Sequence, residues 1–210
     1  MSLKATTASY NLTLDLKTEI FQKDILEKRF NISRQIYNSC LRELLKRYKM
    51  MQFDKEYLTI IEMTKSKDKN NLFMKLNQKY KLNEYSLHKF VKLIQHYFVK
   101  NIDSNTAQKL ATRAWKSFER LMFHKAKKVN FIRFGEMDSF EGKSNGSGIR
   151  FRNNQLIWNG LNIKIQIDKN DIYAQMALQD RVKYCRIIRK EIRGKIKYYL
   201  QLVLEGIPPI

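Results

Sequence analysis

The sequence contains no proline before position 208 and only two in all, Pro208 and Pro209. Nothing upstream therefore cuts a helix sharply, since proline is the residue that removes the amide and clashes with the preceding turn. Cysteine is nearly missing: Cys40 and Cys185 make no disulfide framework, which fits a reducing cytosol. No apolar run approaches the roughly 20 residues that cross a bilayer. The opening M-S-L-K-A-T-T-A-S also lacks the apolar core of a signal peptide, so no membrane partner is expected. There is no C-x-x-C pair, hence no zinc ribbon, and His88, His96 and His124 have no ligand spacing with either cysteine. Ser144 and Ser147 have no histidine close in sequence to activate them. No metal, no cofactor and no catalytic residue is expected in this chain. Acids are scarce as well, 20 Asp+Glu against 41 Lys+Arg.

What is present is apolar content for a core and a large surplus of one charge. The 210 residues are 43% hydrophobic, and a chain of this size buries about 70% of its extended surface. The formal charge of +21 repels itself in a compact state and attracts polyanions. With a membrane disfavoured, the expected partner is nucleic acid.

Hydrophobic periodicity divides the chain. Tyr10 to Leu16 alternates and predicts a short strand; from about Lys17 the period turns helical. Ile36, Tyr37, Cys40, Leu41, Leu44, Leu45 and Tyr48 form one stripe, and Arg34, Asn38, Arg42 and Lys46, four apart, form a polar stripe on another face. Helical character continues from Asp54 to Val99, with breaks near Ser66–Asn71 and Leu82–Asn83. Asp103 or Ser104 can cap the clearest helix, whose apolar face is Ala107, Leu110, Ala111, Ala114, Phe118, Leu121 and Met122. Its opposite face carries Lys109, Arg113, Lys116 and Arg120. A surface helix normally mixes signs on such a face; here only Glu119 is acidic, so the line reads as a phosphate-tracking ridge. Beyond Lys125 the period returns to two, predicting strands at Val129–Phe134, Ile149–Arg152, Leu156–Trp158 and Leu161–Ile167, with glycines at 135, 142, 146, 148 and 160 for turns. Tyr173–Leu178 fits either a short helix or a loop.

The last stretch, Val182 to Pro209, reads as a β-hairpin turning at Arg193-Gly194. Its first arm carries Lys183, Arg186, Arg189, Lys190 and Arg193 against one acid, Glu191. Such a ribbon suits a polyanion lying across a sheet; it equally suits a solvated edge strand whose charges discourage aggregation. The predicted fold class is α+β: a small antiparallel β-barrel or sheet built from residues 1–17 and 127–210, with a helical bundle, residues 18–126, inserted after the first strand. The ridge and the ribbon residues Lys183, Arg186 and Arg189 are expected to wall one groove, extended by Lys143, Arg150 and Arg152. Tyr184, Tyr198 and Tyr199 could stack on unpaired bases or pack in the core, whereas Trp158 reads as core. The face of Leu200, Leu202 and Leu204 is a candidate for exposed apolar surface.

Five fragments then occur in one order: L-A-T-R-A-W-K-S-F-E-R (Leu110–Arg120), S-F-E-G-K-S-N (Ser139–Asn145), G-I-R-F (Gly148–Phe151), K-Y-C-R-I-I-R (Lys183–Arg189) and Y-Y-L-Q-L-V-L-E-G-I-P-P (Tyr198–Pro209). Together they resemble the N-terminal half of TnpB (OrfB), the RNA-guided nuclease of small insertion sequences and relative of type V CRISPR effectors. A weaker likeness covers Gln35–Leu45. The resemblance implies a wedge-type, OB-like barrel with a helical recognition insertion. It implies a structured guide RNA and a target duplex DNA as partners, with base pairing supplying the longer specificity, and a prokaryotic, cytoplasmic, nucleoid-associated setting. On the same basis Tyr37 and Asn38 match the family's first recognition helix and, with Arg34 and Arg42, are candidate nucleic-acid contacts, while Asn38, Asn105 and Gln108 are the candidates for reading base edges. The family's nuclease part would follow Pro209. The one strand-end carboxylate, Glu205, has no partner for a two-metal site, so the expected role is binding without catalysis. The alternatives are a non-catalytic subunit whose nuclease domain is a separate polypeptide, a stand-alone RNA- or DNA-binding regulator, and a decayed fragment.

Overall fold

A computed structural model describes residues 7–209; residues 1–6 of the expected first segment lie outside the described residues. The chain runs β1 (Ser9–Lys17), α1 (Ile20–Gln52), α2 (Lys55–Glu62), α3 (Lys67–Lys79), α4 (Glu84–Tyr97), α5 (Ser104–Met122), β2 (Ser139–Glu141), β3 (Arg150–Arg152), β4 (Gln155–Trp158), β5 (Leu161–Gln166), α6 (Ile172–Ala177), β6 (Val182–Ile192) and β7 (Lys195–Glu205). This is a mixed helical and antiparallel-sheet fold, with five helices between the first strand and the second.

The sheet has the order β2-β6-β7-β1-β5-β4-β3. Period-two patterning puts Tyr10, Leu12, Leu14 and Leu16 of β1 on the buried face. Leu200, Leu202 and Leu204 join them with no exposure, correcting the expectation of an apolar outer surface there: β7 lies between β1 and β6, and its leucine face looks into the core. The expected closed barrel is an open sheet instead. Strands β2 and β3 are its two edges, each only three residues long, and they pair with β6 and β4 but not with each other. A side chain bridges the gap. Asn145 donates its backbone N–H to the Lys183 carbonyl of β6 at 3.0 Å, while its side-chain oxygen accepts from the Phe151 N–H at 2.8 Å.

Helix α1, 33 residues long, joins the two layers. Its first half lies on the sheet: Gln22 donates to the Asn162 carbonyl, and Phe30 packs against Phe140 and Tyr198. Its second half presents the predicted stripe, Ile36 to Leu44, to α4 and α5. Ser66 and Asn83 cap α3 and α4 with their side chains, so the first predicted break is shorter than the sequence suggested. Tyr173–Leu178 is largely helical, as α6.

Val129–Phe134, expected to be a strand, is irregular. It runs along α1, where Asn38 supplies what a neighbouring strand would: the Asn38 amide donates to the Ile132 carbonyl and accepts from the Ile132 N–H, at 2.9 and 3.0 Å.

Candidate nucleic-acid interface

The cation ridge is positioned by the start of α5. Asp103 caps it, accepting from the N–H groups of Asn105 and Thr106 at 3.0 and 3.1 Å. Its second oxygen accepts from the Thr106 hydroxyl at 2.6 Å and the Trp158 indole N–H at 2.8 Å. Trp158 is fully buried under the Arg29 guanidinium, 4.4 Å from the ring centroid. Arg29 itself donates to the Trp158 and Asn159 carbonyls. Burial lowers its pKa to about 10, Asp103 opposing the shift, so it stays charged at neutral pH. This polar knot fixes α5 against β4. Ala107, Leu110, Ala111, Ala114 and Phe118 then turn inward, and the cations turn out beside the β2 edge.

There Lys109, Arg113, Lys116 and Arg186 line one groove with Phe140 and Glu141, enclosing about 290 Å³. Lys109 pairs with one oxygen of Glu141 at 2.8 Å and Arg186 with the other, also at 2.8 Å. Burial raises the Glu141 pKa, but hydrogen bonds and charge from Lys109 and Arg186 outweigh it and leave the carboxyl below the usual glutamate range. Arg186 also donates to Gln201 at 2.7 Å, and Gln201 to Thr13 at 3.1 Å. These residues are cross-strand neighbours, so one polar row runs from α5 across β2, β6 and β7 to β1. Arg113 donates to the Ser139 carbonyl and lies 3.5 Å from Asp138, covering the free edge of β2. Lys116 and Arg120 are exposed. Tyr184 is half-buried with Lys109 over its ring at 5.2 Å.

Other predicted residues lie elsewhere. Arg189 belongs to the opposite face of β6: it pairs with Glu27 at 2.7 Å and donates to the Gly135 carbonyl. It lines a smaller hollow with Arg34, whose guanidinium lies 5.8 Å from the Phe134 ring. An odd separation of three along a strand explains the split, because successive side chains alternate faces. The single wall of Lys183, Arg186 and Arg189 is thus divided. Lys183 and Arg152 line a third, open concavity with Arg181. Tyr37 is buried, and Asn38 spends its amide on Ile132; both serve the fold rather than a base edge. Asn105 donates to the Ser147 hydroxyl at 2.8 Å, and Gln108 is half-buried beside Lys109. Arg150 is half-buried, and Lys143 and Arg42 are exposed away from the groove lining.

Sequence reading missed Glu141, whose carboxylate gathers two of the groove's cations. The alternation S-F-E before Gly142 places Glu141 on the face opposite Phe140, but only the pairing of Glu141 with Arg186 makes it part of the site. Glu205, at the end of β7, pairs with Arg181 at 3.3 Å. Among the described residues no group of three or more His, Cys, Asp or Glu could hold a metal ion, and no helix is long and apolar enough to cross a membrane. Compared with models of known protein families and with curated protein sequences, the chain matches none.

Proposed function

We propose that the chain is a nucleic-acid-binding module whose main contact is the groove between α5 and the β2–β6 edge. The observation that carries this reading is the outward line of cations on α5, with a single acid, Glu119, interspersed, in a chain of net charge +21. Arginine forks match phosphate geometry, and a line of cations along one helix follows a backbone rather than holding a single anion. Arg113, Lys116 and Arg120 are the primary phosphate contacts. Lys109 and Arg186, held by Glu141, set the wall against which a strand lies. In the finer form of the proposal, the sheet with its helical insertion is a wedge-like, OB-like unit resembling that of TnpB. It would hold a structured guide RNA and a flanking duplex, act in the prokaryotic cytoplasm and contribute binding rather than chemistry.

The test is affinity for hairpin RNA, duplex DNA and single strands across a salt series. Wild type is compared with a variant carrying Arg113→Ala, Lys116→Ala and Arg120→Ala, and with a charge-matched control carrying Lys17→Ala, Lys164→Ala and Lys169→Ala. Each lost phosphate contact flattens the slope of log K against log salt by about 0.7–0.9, so the ridge variant should lose about two units and the control far less. Equal losses would reduce binding to net charge and sink the groove. Preference for a hairpin RNA from the gene's own flank would support the guide-scaffold form.

A further inference from the structure

A second concavity lies where the ridge ends. The C-terminal part of α1, helices α2 and α3, and the end of α5 enclose about 580 Å³, within the range typical of small-molecule sites. Its walls are aromatic: Tyr57 and Phe73 meet edge-on at 6.1 Å, and Tyr48 packs edge-on against Phe118 at 5.5 Å. Met74 and Phe123 stand at the mouth, 57% and 58% exposed. One polar atom in the lining is out of balance. The side-chain oxygen of Asn77 is enclosed by protein, and no protein donor reaches it. A buried acceptor in that state favours whatever ligand brings it a hydrogen.

The approach to this cavity is the ridge itself. Lys109, Arg113, Lys116 and Arg120 share one face of α5, and Phe123 follows three residues later on the same face. Arg113 to Phe123 spans about 15 Å of helix at 1.5 Å per residue. His124, also in the lining, then adopts a left-handed backbone, φ 54°, and the exposed Lys125, Lys127 and Lys128 follow it in the chain. A phosphate chain tracking α5 is thus led toward an aromatic cavity whose lining also includes Lys69.

We infer that this cavity takes an unpaired nucleobase of a single strand bound along α5. The base would stack among Tyr57, Phe73 and Phe123, and a rotation of the Asn77 side chain would bring its enclosed oxygen to the cavity to accept from the base-edge N–H. Stacking needs only a π-face and suits single strands, whereas a duplex keeps its bases inside. The inference rests on the nucleic-acid reading of the groove and adds the strand state and the base contact to it.

The experiment uses the full chain with ¹³C-labelled methionine methyls, since Met51, Met74 and Met122 all line the cavity. The probes are adenosine monophosphate and a short single strand carrying one 2-aminopurine. Both are expected to shift the three methyl signals, and 2-aminopurine emission is expected to fall on binding. Met74→Trp, which fills the mouth, should abolish the emission change. It should also weaken single-strand binding about tenfold, the size of one stacking contact, with duplex affinity unchanged. Asn77→Ala should weaken the same binding without lowering the melting temperature, since its oxygen bonds nothing in the protein. Retained strand binding with silent methyls, unaltered emission and an unaffected Met74→Trp variant would overturn the cavity and leave the groove standing. Binding of no nucleic acid at all would overturn both. Methyl shifts with an aromatic amino-acid amide but not with the nucleotide would assign the cavity to a protein side chain and reject the base.

Discussion

At the residue scale the molecule depends on Asp103. One carboxylate caps α5 and holds the indole of Trp158, beneath a buried arginine. Asp103→Ala should cost about 3 kcal/mol, combining a lost cap with an orphaned buried N–H, measured by urea unfolding. Gly148 belongs to the same knot: its φ is +70°, and a Cβ there would come within 2.6 Å of the Asp103 carboxylate. Gly148→Ala should therefore cost about 2 kcal/mol through backbone strain and displacement of the cap. Sequence reading found Asp103 as a cap because caps are local. It could not find the indole partner 55 residues away. The same limit applies to Asn38, whose place on a polar helical stripe was visible but whose partner, Ile132, is 94 residues distant.

Asp54 gives a pH dependence of known sign. Hydrogen bonds from Lys79, then from Tyr80, then from the Glu56 backbone, lower its pKa to about 2. A carboxylate whose folded pKa is depressed contributes stability above its unfolded value, near 3.9, and loses it as pH falls toward the folded value. Glu141 is shifted the same way. Acid titration between about pH 4 and pH 2 should therefore loosen the α2–α3 hairpin, and falling pH should loosen the groove wall as well once Glu141 takes up a proton. Amide exchange should rise at Glu56 and along β2, while α5 near Phe118 stays protected.

At the scale of elements, the polar row and the bridge by Asn145 decide how the sheet ends. Glu141→Gln would free Lys109 and Arg186 from a shared anion. If the groove binds phosphates, affinity should rise by about threefold to tenfold at low salt while the fold loses about 1 kcal/mol, read by anisotropy and thermal unfolding of one preparation. Asn145→Ala removes the bond that spans the gap between β6 and β3, and should cost about 2 kcal/mol with exchange localised at Phe151. Helices and long strands were legible because their apolar periods are unmistakable. The β2 edge was not, being three residues long, whereas β3, equally short, lies within the predicted strand Ile149–Arg152. Val129–Phe134 misled because its alternation is real but its backbone is satisfied by a helix-borne amide.

At the scale of the whole molecule, self-repulsion among 41 basic side chains against 20 acidic ones opposes the compact state. Added salt should raise the melting temperature through screening, and polyphosphate at micromolar levels should raise it further by binding. A melting temperature insensitive to both would mean that the charges are spread too evenly to matter. The surplus charge and the succession of strand, helices and strands were readable from composition and period. The openness of the sheet was not, because closure depends on whether the two edge strands meet and pair, which hydrophobic patterning does not encode.

The first strand is enclosed by one of the last. Strand β1 lies between β5 and β7, and Ser9 to Asp15 pair with Glu205 to Tyr199. As the chain leaves the ribosome, β1 emerges long before β5 and longer still before β7, its main partner, while the intervening helices can already form from local contacts. Its leucines are a sticky, unpaired ribbon throughout that interval. The slowest step in making this protein is therefore expected to be a homecoming, the return of the C-terminal hairpin to a strand synthesised long before it.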